Sequence, residues 1–258
     1  MNALVQKGVR HPRWAALDSM LAEPYMAMGY FRHMTGRPAE AEQHFKRAIA
    51  LAPNSATAHQ WYGIMLSNNN RFEDALRETR TASELDPLSA IITSNYARAL
   101  QDAGRTAEGL TAMARARALD PTNVAVRTNA ALAMVDAGRP QDALNDIEEA
   151  IRLGLAPEAL LILRVQALLQ MRDSTKARAA VAQAAAALGD RANREPDMPT
   201  AYALIGDREK ALATLERVVE ARPLRMVSRD SYLSDSTWAP LRTDPRFIRA
   251  MNRLQQER

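Results

Sequence analysis

Cysteine is absent from the 258 residues. No disulfide framework, thiolate-bound zinc, iron–sulfur cluster or cysteine nucleophile can be built from such a chain, and a thiol-free composition fits a reducing compartment. Aromatic residues make up only 5%. No stretch approaches the roughly 18 uninterrupted apolar residues of a membrane-spanning helix, and Met1 to Arg10 lacks a signal-peptide core. The expected location is therefore cytoplasmic, with no membrane partner. Charge of one sign is also scarce once it is located. Residues 222–258 hold eight Arg against Asp230, Asp235, Asp244 and Glu257, which accounts for the whole net charge of +4. The rest is balanced, so no whole-protein argument for a nucleic-acid partner follows from the basic isoelectric point, and such a partner is not expected. There is no G-x-G-x-x-G, GxxxxGK(S/T) or G-x-S-x-G. His11, His33, His44 and His59 show no metal-ligand spacing, and acid pairs such as Glu148–Glu149 sit in amphipathic runs as solvated faces. The expectation is a protein that is not an enzyme, with no cofactor and no metal.

What is present is a soluble, core-forming composition, 47% hydrophobic and 25% charged, organised by a 34-residue period. Ala41, Ala75, Ala143, Ala177 and Ala211 are in register, with Gly109 at the missing step. Seven residues on, a second column reads Ala48, Ala82, Ala116, Ala150, Ala184 and Val218; a third reads Pro53, Pro87, Pro121 and Pro223. With Pro as the thirty-second residue, six units span 22–55, 56–89, 90–123, 124–157, 158–191 and 192–225. Apolar residues recur within each at three- and four-residue spacing in two blocks, the period of paired amphipathic helices. The joint falls at Gly36, Asn70, Gly104, Gly138 and Gly206, residue types that tolerate the left-handed conformation ending a helix. The Pro column stops the second helix, since its ring and missing N–H cannot continue one.

These columns resemble the tetratricopeptide repeat (TPR), with a small residue at position eight (Gly29, Gly63, Ala97, Ala131), Ala at twenty and twenty-seven, a large apolar residue at twenty-four (Phe45, Met113, Ile147, Val181, Leu215, but Thr79 in the second unit) and Pro at thirty-two. The resemblance implies an all-α, right-handed superhelical α-solenoid. Small side chains let helices approach closely, and stacking of units supplies the core. The later units depart from the pattern. Arg164 and Val165 replace a large–small pair, and Pro196 and Pro199 fall where the sixth unit's first helix should run. That helix is expected to be short and to start near Asp197, and the Ala-rich helix from Thr175 to about Leu188 to run long.

Residues 1–21 read as the second half of a unit whose first helix is absent, because Asp18–Ser19 align with Asp86–Pro87 and Asp120–Pro121. The expectation is a larger parent with further repeats or another domain on that side; the alternative is that Leu4, Val5 and Trp14 cap the first unit. Residues 226–258 are expected to form a C-terminal cap. Val227 to Ser236 reads as a loop, Asp244–Pro245 as a helix start, and Trp238, Leu241, Phe247, Met251 and Leu254 as a cover over the apolar end, with Arg outside. Residues 22–258 resemble the C-terminal TPR regions of large bacterial signalling proteins, namely winged-helix regulators, adenylate cyclases and serine/threonine kinases. The resemblance implies a sensory or protein-binding region.

In TPR proteins the first helix of each unit lines a concave wall through positions two, five, six, nine, twelve and thirteen. Here that wall holds Tyr30 and His33 with Met26 and Met34, then Gln60, Trp61 and Ile64, then Ser94, Asn95 and Arg98, then Thr128, Asn129 and Leu132. It is aromatic at its start and amide-rich in its middle, which suits an extended peptide. Asn95 and Asn129 share position six of adjacent units and resemble two rungs of the asparagine ladder of O-linked N-acetylglucosamine transferase. The Lys and Asn of the chaperone-binding carboxylate clamp are missing from the matching positions. Trp61 and Tyr30 are the expected anchors, with burial between neighbouring helices as the other reading. The expected function is a non-catalytic scaffold for a protein or extended peptide. Two alternatives are self-association as a homo-oligomer through the N-terminal edge and, less favoured, contact of the Arg-rich tail with nucleic acid or an acidic surface.

Overall fold

The structure, a computed structural model, describes residues 21–155, 157–193, 195–221 and 229–255. Among them there is no strand, and the chain is an all-α solenoid of helical hairpins. It divides into two compact units, one ending at Pro121 and one starting at Thr122.

The first unit holds three hairpins: α1 (Ala22–Met34) with α2 (Pro38–Leu51), α3 (Ala56–Asn68) with α4 (Phe72–Leu85), and α5 (Ala90–Asp102) with α6 (Thr106–Leu119). Each second helix stops two residues before Pro53, Pro87 or Pro121. Each later first helix is capped from the connection, Ser55 accepting from the Ala58 N–H and Ser89 from that of Ile92. Asn70 turns between helices at φ 59°, in the left-handed region.

Why position eight must be small is visible in the packing. A Cβ on Gly63 would lie 2.5 Å from the Thr79 methyl at position twenty-four, and one on Gly109 at position twenty would lie 2.8 Å from the Ala97 carbonyl. The hairpins are closed so tightly that positions eight and twenty trade volume, glycine with alanine in the second repeat (Gly63, Ala75) and alanine with glycine in the third (Ala97, Gly109). Between hairpins, Phe45 packs with Tyr62 and Met65, and Ala48 with Ala58.

The second unit comprises α7 (Val124–Asp136), α8 (Pro140–Arg152), α9 (Pro157–Gln170), α10 (Ser174–Leu188), α11 (Met198–Leu204) and α12 (Arg208–Ala221). Beyond them come α13 (Arg229–Ser234), a 3-10 turn (Ser236–Leu241) and α14 (Pro245–Gln255). The joint of the fifth repeat is Arg172, at φ 61°. As expected, the sixth first helix is late and short: α11 has seven residues and follows Asp197, whose side chain makes no capping hydrogen bond. At 15 residues α10 is one longer than the second helices before it in the first unit, and it runs into a 3-10 turn at Gly189–Asn193. Val165 is fully buried, while Arg164 reaches Glu148 at 2.8 Å.

The described residues of the C-terminal segment close this stack. Trp238, Leu241, Phe247 and Met251 are buried on Leu212, Leu215 and Val219 of α12, with Leu254 at the margin. Asp244 starts α14 by accepting from the Arg246 N–H at 2.9 Å. The span read from sequence as a loop is corrected over residues 229–234, which are helical. There the Tyr232 ring is buried edge-on against Trp238, with centroids 5.2 Å apart. Residues 1–20, on which the half-unit expectation falls, lie outside the described residues, as do 222–228.

Candidate functional site

The first helices of the first unit, α1, α3 and α5, lie side by side, and two of the residues read from the repeat register meet across them. Tyr30 of α1 meets Trp61 of α3 with ring centroids 4.3 Å apart at 75°, an edge-to-face pair. Trp61 is half-buried and rests on the cluster of Phe45, Tyr62 and Met65, whereas 40% of Tyr30 remains exposed. The pair makes an angular notch with one fixed wall and one open wall. Trp61 is packed between helices, while Tyr30 leaves aromatic surface exposed beside it.

One turn along, the Asn68 side-chain amide donates to His33 Nε2 at 3.0 Å. Burial pushes the His33 imidazole below its usual range, so at neutral pH the ring is uncharged and Nε2 is an acceptor. Ile64 is half-buried beside Trp61 in sequence register. Gln60 and Ser94 are a different matter. Both are buried, and the Ser94 hydroxyl donates to the Ile91 carbonyl at 2.9 Å, so neither offers a partner a surface. Position five falls on the seam where successive first helices meet. Asn95 is half-buried, and Arg98 donates to Asp102 at 3.0 Å within its own helix.

In the second unit, Thr128, Asn129 and Leu132 are half-buried on α7. The Thr128 hydroxyl donates to the Val124 carbonyl at 2.9 Å, and Leu132 leans on the cluster of Ile147, Leu160 and Leu163. Asn95 and Asn129 belong to separate compact units.

A groove of about 660 Å³ runs between α12 and α14. Its arginines face a matching row of acids: Arg246 reaches Glu209 at 2.8 Å and Glu216 at 3.0 Å, Arg249 reaches Glu216 at 3.2 Å, and Arg253 lies 3.8 Å from Glu220. Arg208 pairs with Asp244 at 2.9 Å and Arg242 donates to the Asp235 carbonyl at 3.1 Å. The basic surplus seen in the sequence is thus spent largely on holding the cap, at every tail arginine whose side chain is described.

Two polar pairs escaped the sequence reading. Arg127 and Asp146 form a buried ion pair at 2.9 Å, and His59 Nδ1 lies 2.6 Å from Glu78 Oε2 with Nε2 3.0 Å from the Pro53 carbonyl. Both join position four to position twenty-three of one repeat, a coincidence of register that was the available signal. Among the described residues no group of three or more His, Asp or Glu is placed to hold a metal, and no helix is long and apolar enough to cross a membrane.

No curated protein matches the sequence. Residues 33–100 and 128–196 each match a family described as tetratricopeptide repeat, and the two matches take in more than half of the 258 residues. Similar solved structures include a thermophilic TPR protein of Thermus thermophilus, 20% identical with a TM-score of 0.59 over 71% of this chain and 98% of that one. The pilF structure of Pseudomonas aeruginosa is 21% identical, with a TM-score of 0.55 over 79% and 92%. A MamA protein is 18% identical, with 0.51 over 67% and 95%. At these identities the likeness is one of fold. With the aligned small-residue columns, the close helix contacts they permit and both family matches, the chain belongs to the tetratricopeptide-repeat family.

Proposed function

We propose that this protein is a non-catalytic scaffold that binds a protein segment or extended peptide along the first-helix wall of its first unit, as part of a bacterial regulatory system in the cytoplasm. TPR folds generally mediate protein–protein interaction. The observation that carries the reading is the Tyr30–Trp61 notch, because an exposed aromatic edge held by a packed partner supplies contact area at little conformational cost. His33 and Asn68 lie further along the same two helices, and Asn95 is half-buried on α5, with amide and imidazole groups able to pair with a peptide backbone. Met26, Met34 and Ile64 add adaptable apolar surface.

The test is to select binders from a random dodecapeptide display library and to measure their affinity for the wild type, Tyr30→Ala and Trp61→Ala. Loss of a central aromatic anchor should weaken binding by at least about tenfold. Trp61→Ala also removes packing, so Tyr30→Ala, at an exposed ring, is the cleaner variant. Peptides that bind both variants as tightly as the wild type would place recognition elsewhere.

A further inference from the structure

The groove between α12 and α14 holds more positive charge than its cap contacts use. Its walls carry Arg217 from α12 and Arg246, Arg249 and Arg253 from α14, against Glu216 and Glu220. Glu209, which also takes Arg246, lies outside the lining, and counting it still leaves the arginines in excess. A guanidinium offers several N–H donors in a fixed fork. Among the described residues Arg217 gives one hydrogen bond, from Nη1 to the neutral side-chain amide of Asn193 at 2.7 Å, and Arg249 gives one, from Nη2 to Glu216 at 3.2 Å. Arg253 comes no nearer than 3.8 Å to Glu220. The Arg249 and Arg253 side chains are 65% and 55% exposed, so most of their donors stand open to solvent.

We infer that this groove receives an extended acidic segment of another protein. Charge complementarity argues for that occupant, since a carboxylate meets a guanidinium fork through paired, charge-assisted hydrogen bonds. Spacing argues for its form. Arg249 and Arg253 are four residues apart on α14, about 6 Å along the helix. Side chains on one side of an extended chain recur every second residue, at about 6.6 Å. A segment with an acid at alternate positions therefore meets both arginines, while Arg217 closes on it from the α12 wall. Val219 and Ala250, buried at the floor, leave apolar surface for the side chains between. Glu216 and Glu220 interrupt the basic walls, which disfavours a nucleic-acid strand charged at every phosphate. The neighbouring stretches of this chain supply no net negative charge: residues 222–228 carry Arg222 and Arg225 and no acid, and residues 256–258 carry Glu257 and Arg258. The groove is built from the second unit alone and uses neither Tyr30 nor Trp61, so this inference stands or falls apart from the peptide-binding reading above.

The probe is a fluorescein-labelled decapeptide of alternating glutamate and threonine, titrated with the full chain and read by fluorescence anisotropy. At about 50 mM salt it should bind with a dissociation constant on the order of 10–100 µM, and several-fold more weakly at about 500 mM. The glutamine–threonine counterpart should not bind. Arg217→Gln and Arg253→Gln, both at exposed positions, should each weaken binding about fivefold or more with unchanged helical circular dichroism. Arg178→Gln, exposed on α10, should leave it intact. Glu220→Gln separates recognition from support of the cap. It removes a competing carboxylate and should tighten the peptide about threefold, whereas a contact that only holds α14 in place would leave affinity unchanged or lower. No binding, no preference over the glutamine peptide, indifference to both groove arginines, equal weakening by Arg178→Gln, a Glu220→Gln protein that binds no better, or tighter binding of a short oligothymidylate through the same arginines would overturn the inference.

Discussion

Arg127 donates from Nη1 to the Asp146 carboxylate at 2.9 Å and to the Asp146 carbonyl at 3.3 Å, with 3% of either side chain exposed. The pair fastens α7 to α8 inside the second unit, and Glu149 approaches the same nitrogen at 3.7 Å. Removing one partner leaves a buried charge uncompensated, whereas removing both does not. Arg127→Met should therefore lower unfolding free energy by about 3–5 kcal/mol, while Arg127→Met with Asp146→Leu should recover most of that loss. Urea unfolding of the single and double variants decides it; equal losses in both would mean that the packing of the arginine stem, not its charge, is what matters.

The closeness of Gly63 to Thr79 makes a second pair testable. With only 2.5 Å between an added Cβ and the Thr79 methyl, Gly63→Ala forces α3 away from α4 and should cost about 1–3 kcal/mol, although alanine is the better helix former. Thr79→Ser deletes the obstructing methyl and keeps the hydroxyl that donates to the Ala75 carbonyl at 2.8 Å. Combined with Gly63→Ala it should give a coupling energy of opposite sign to the clash. Strict additivity in thermal unfolding would show that the helices separate without regard to residue 79.

The fold was legible because the repeat imposes itself through residue volume and backbone chemistry, both of which a sequence displays. Small residues at positions eight and twenty, glycine or asparagine at the joint and proline after the second helix each correspond to an observed contact or turn. Arg172 shows the limit: it occupies the left-handed joint of the fifth repeat at φ 61° with a side chain that gives no hint of it, because neighbouring helices fix the turn regardless. The wall was half legible. Register put Tyr30 and Trp61 on adjacent faces, but the burial of Gln60 and Ser94 depends on how near successive first helices lie, which no single repeat reveals. The polar pair of Arg127 and Asp146 left no mark within either helix taken alone, because their partnership crosses between helices and joins residues 19 apart in sequence.

The attachment of α14 separates apolar from ionic contributions. Phe247 and Trp238 are buried on α12, whereas most of the arginine–glutamate contacts beside them are substantially open to water. Phe247→Ala should cost about 3–5 kcal/mol of local or global stability. Arg249→Gln, removing an exposed contact, should cost no more than about 1 kcal/mol and less at high salt. Amide hydrogen exchange across residues 245–255 measures both, and comparable loss of protection in the two variants would make the ionic row the true fastening.

Glu42 joins the first two hairpins and gives stability a pH signature. It accepts from Lys46 and Arg71 at 2.9 Å each and from the Tyr62 hydroxyl at 2.9 Å. Lys46 first, then Arg71 and Tyr62, outweigh the opposing effect of burial and bring its carboxyl down to about 2 from an ordinary value of 4.5. A folded-state value below the unfolded one means the ionised form is favoured by folding. Its contribution is therefore complete above about 4.5 and is lost as pH falls toward 2. Glu42→Gln should destabilise the protein at neutral pH and flatten the decline of unfolding free energy between those two values, with the gap between variant and wild type closing as acid is added. Tyr62→Phe should produce a smaller change of the same sign, since it withdraws one hydrogen bond and leaves both cations in place. Parallel stability profiles for wild type and Glu42→Gln across that range would mean that this carboxylate titrates alike in the folded and unfolded chain.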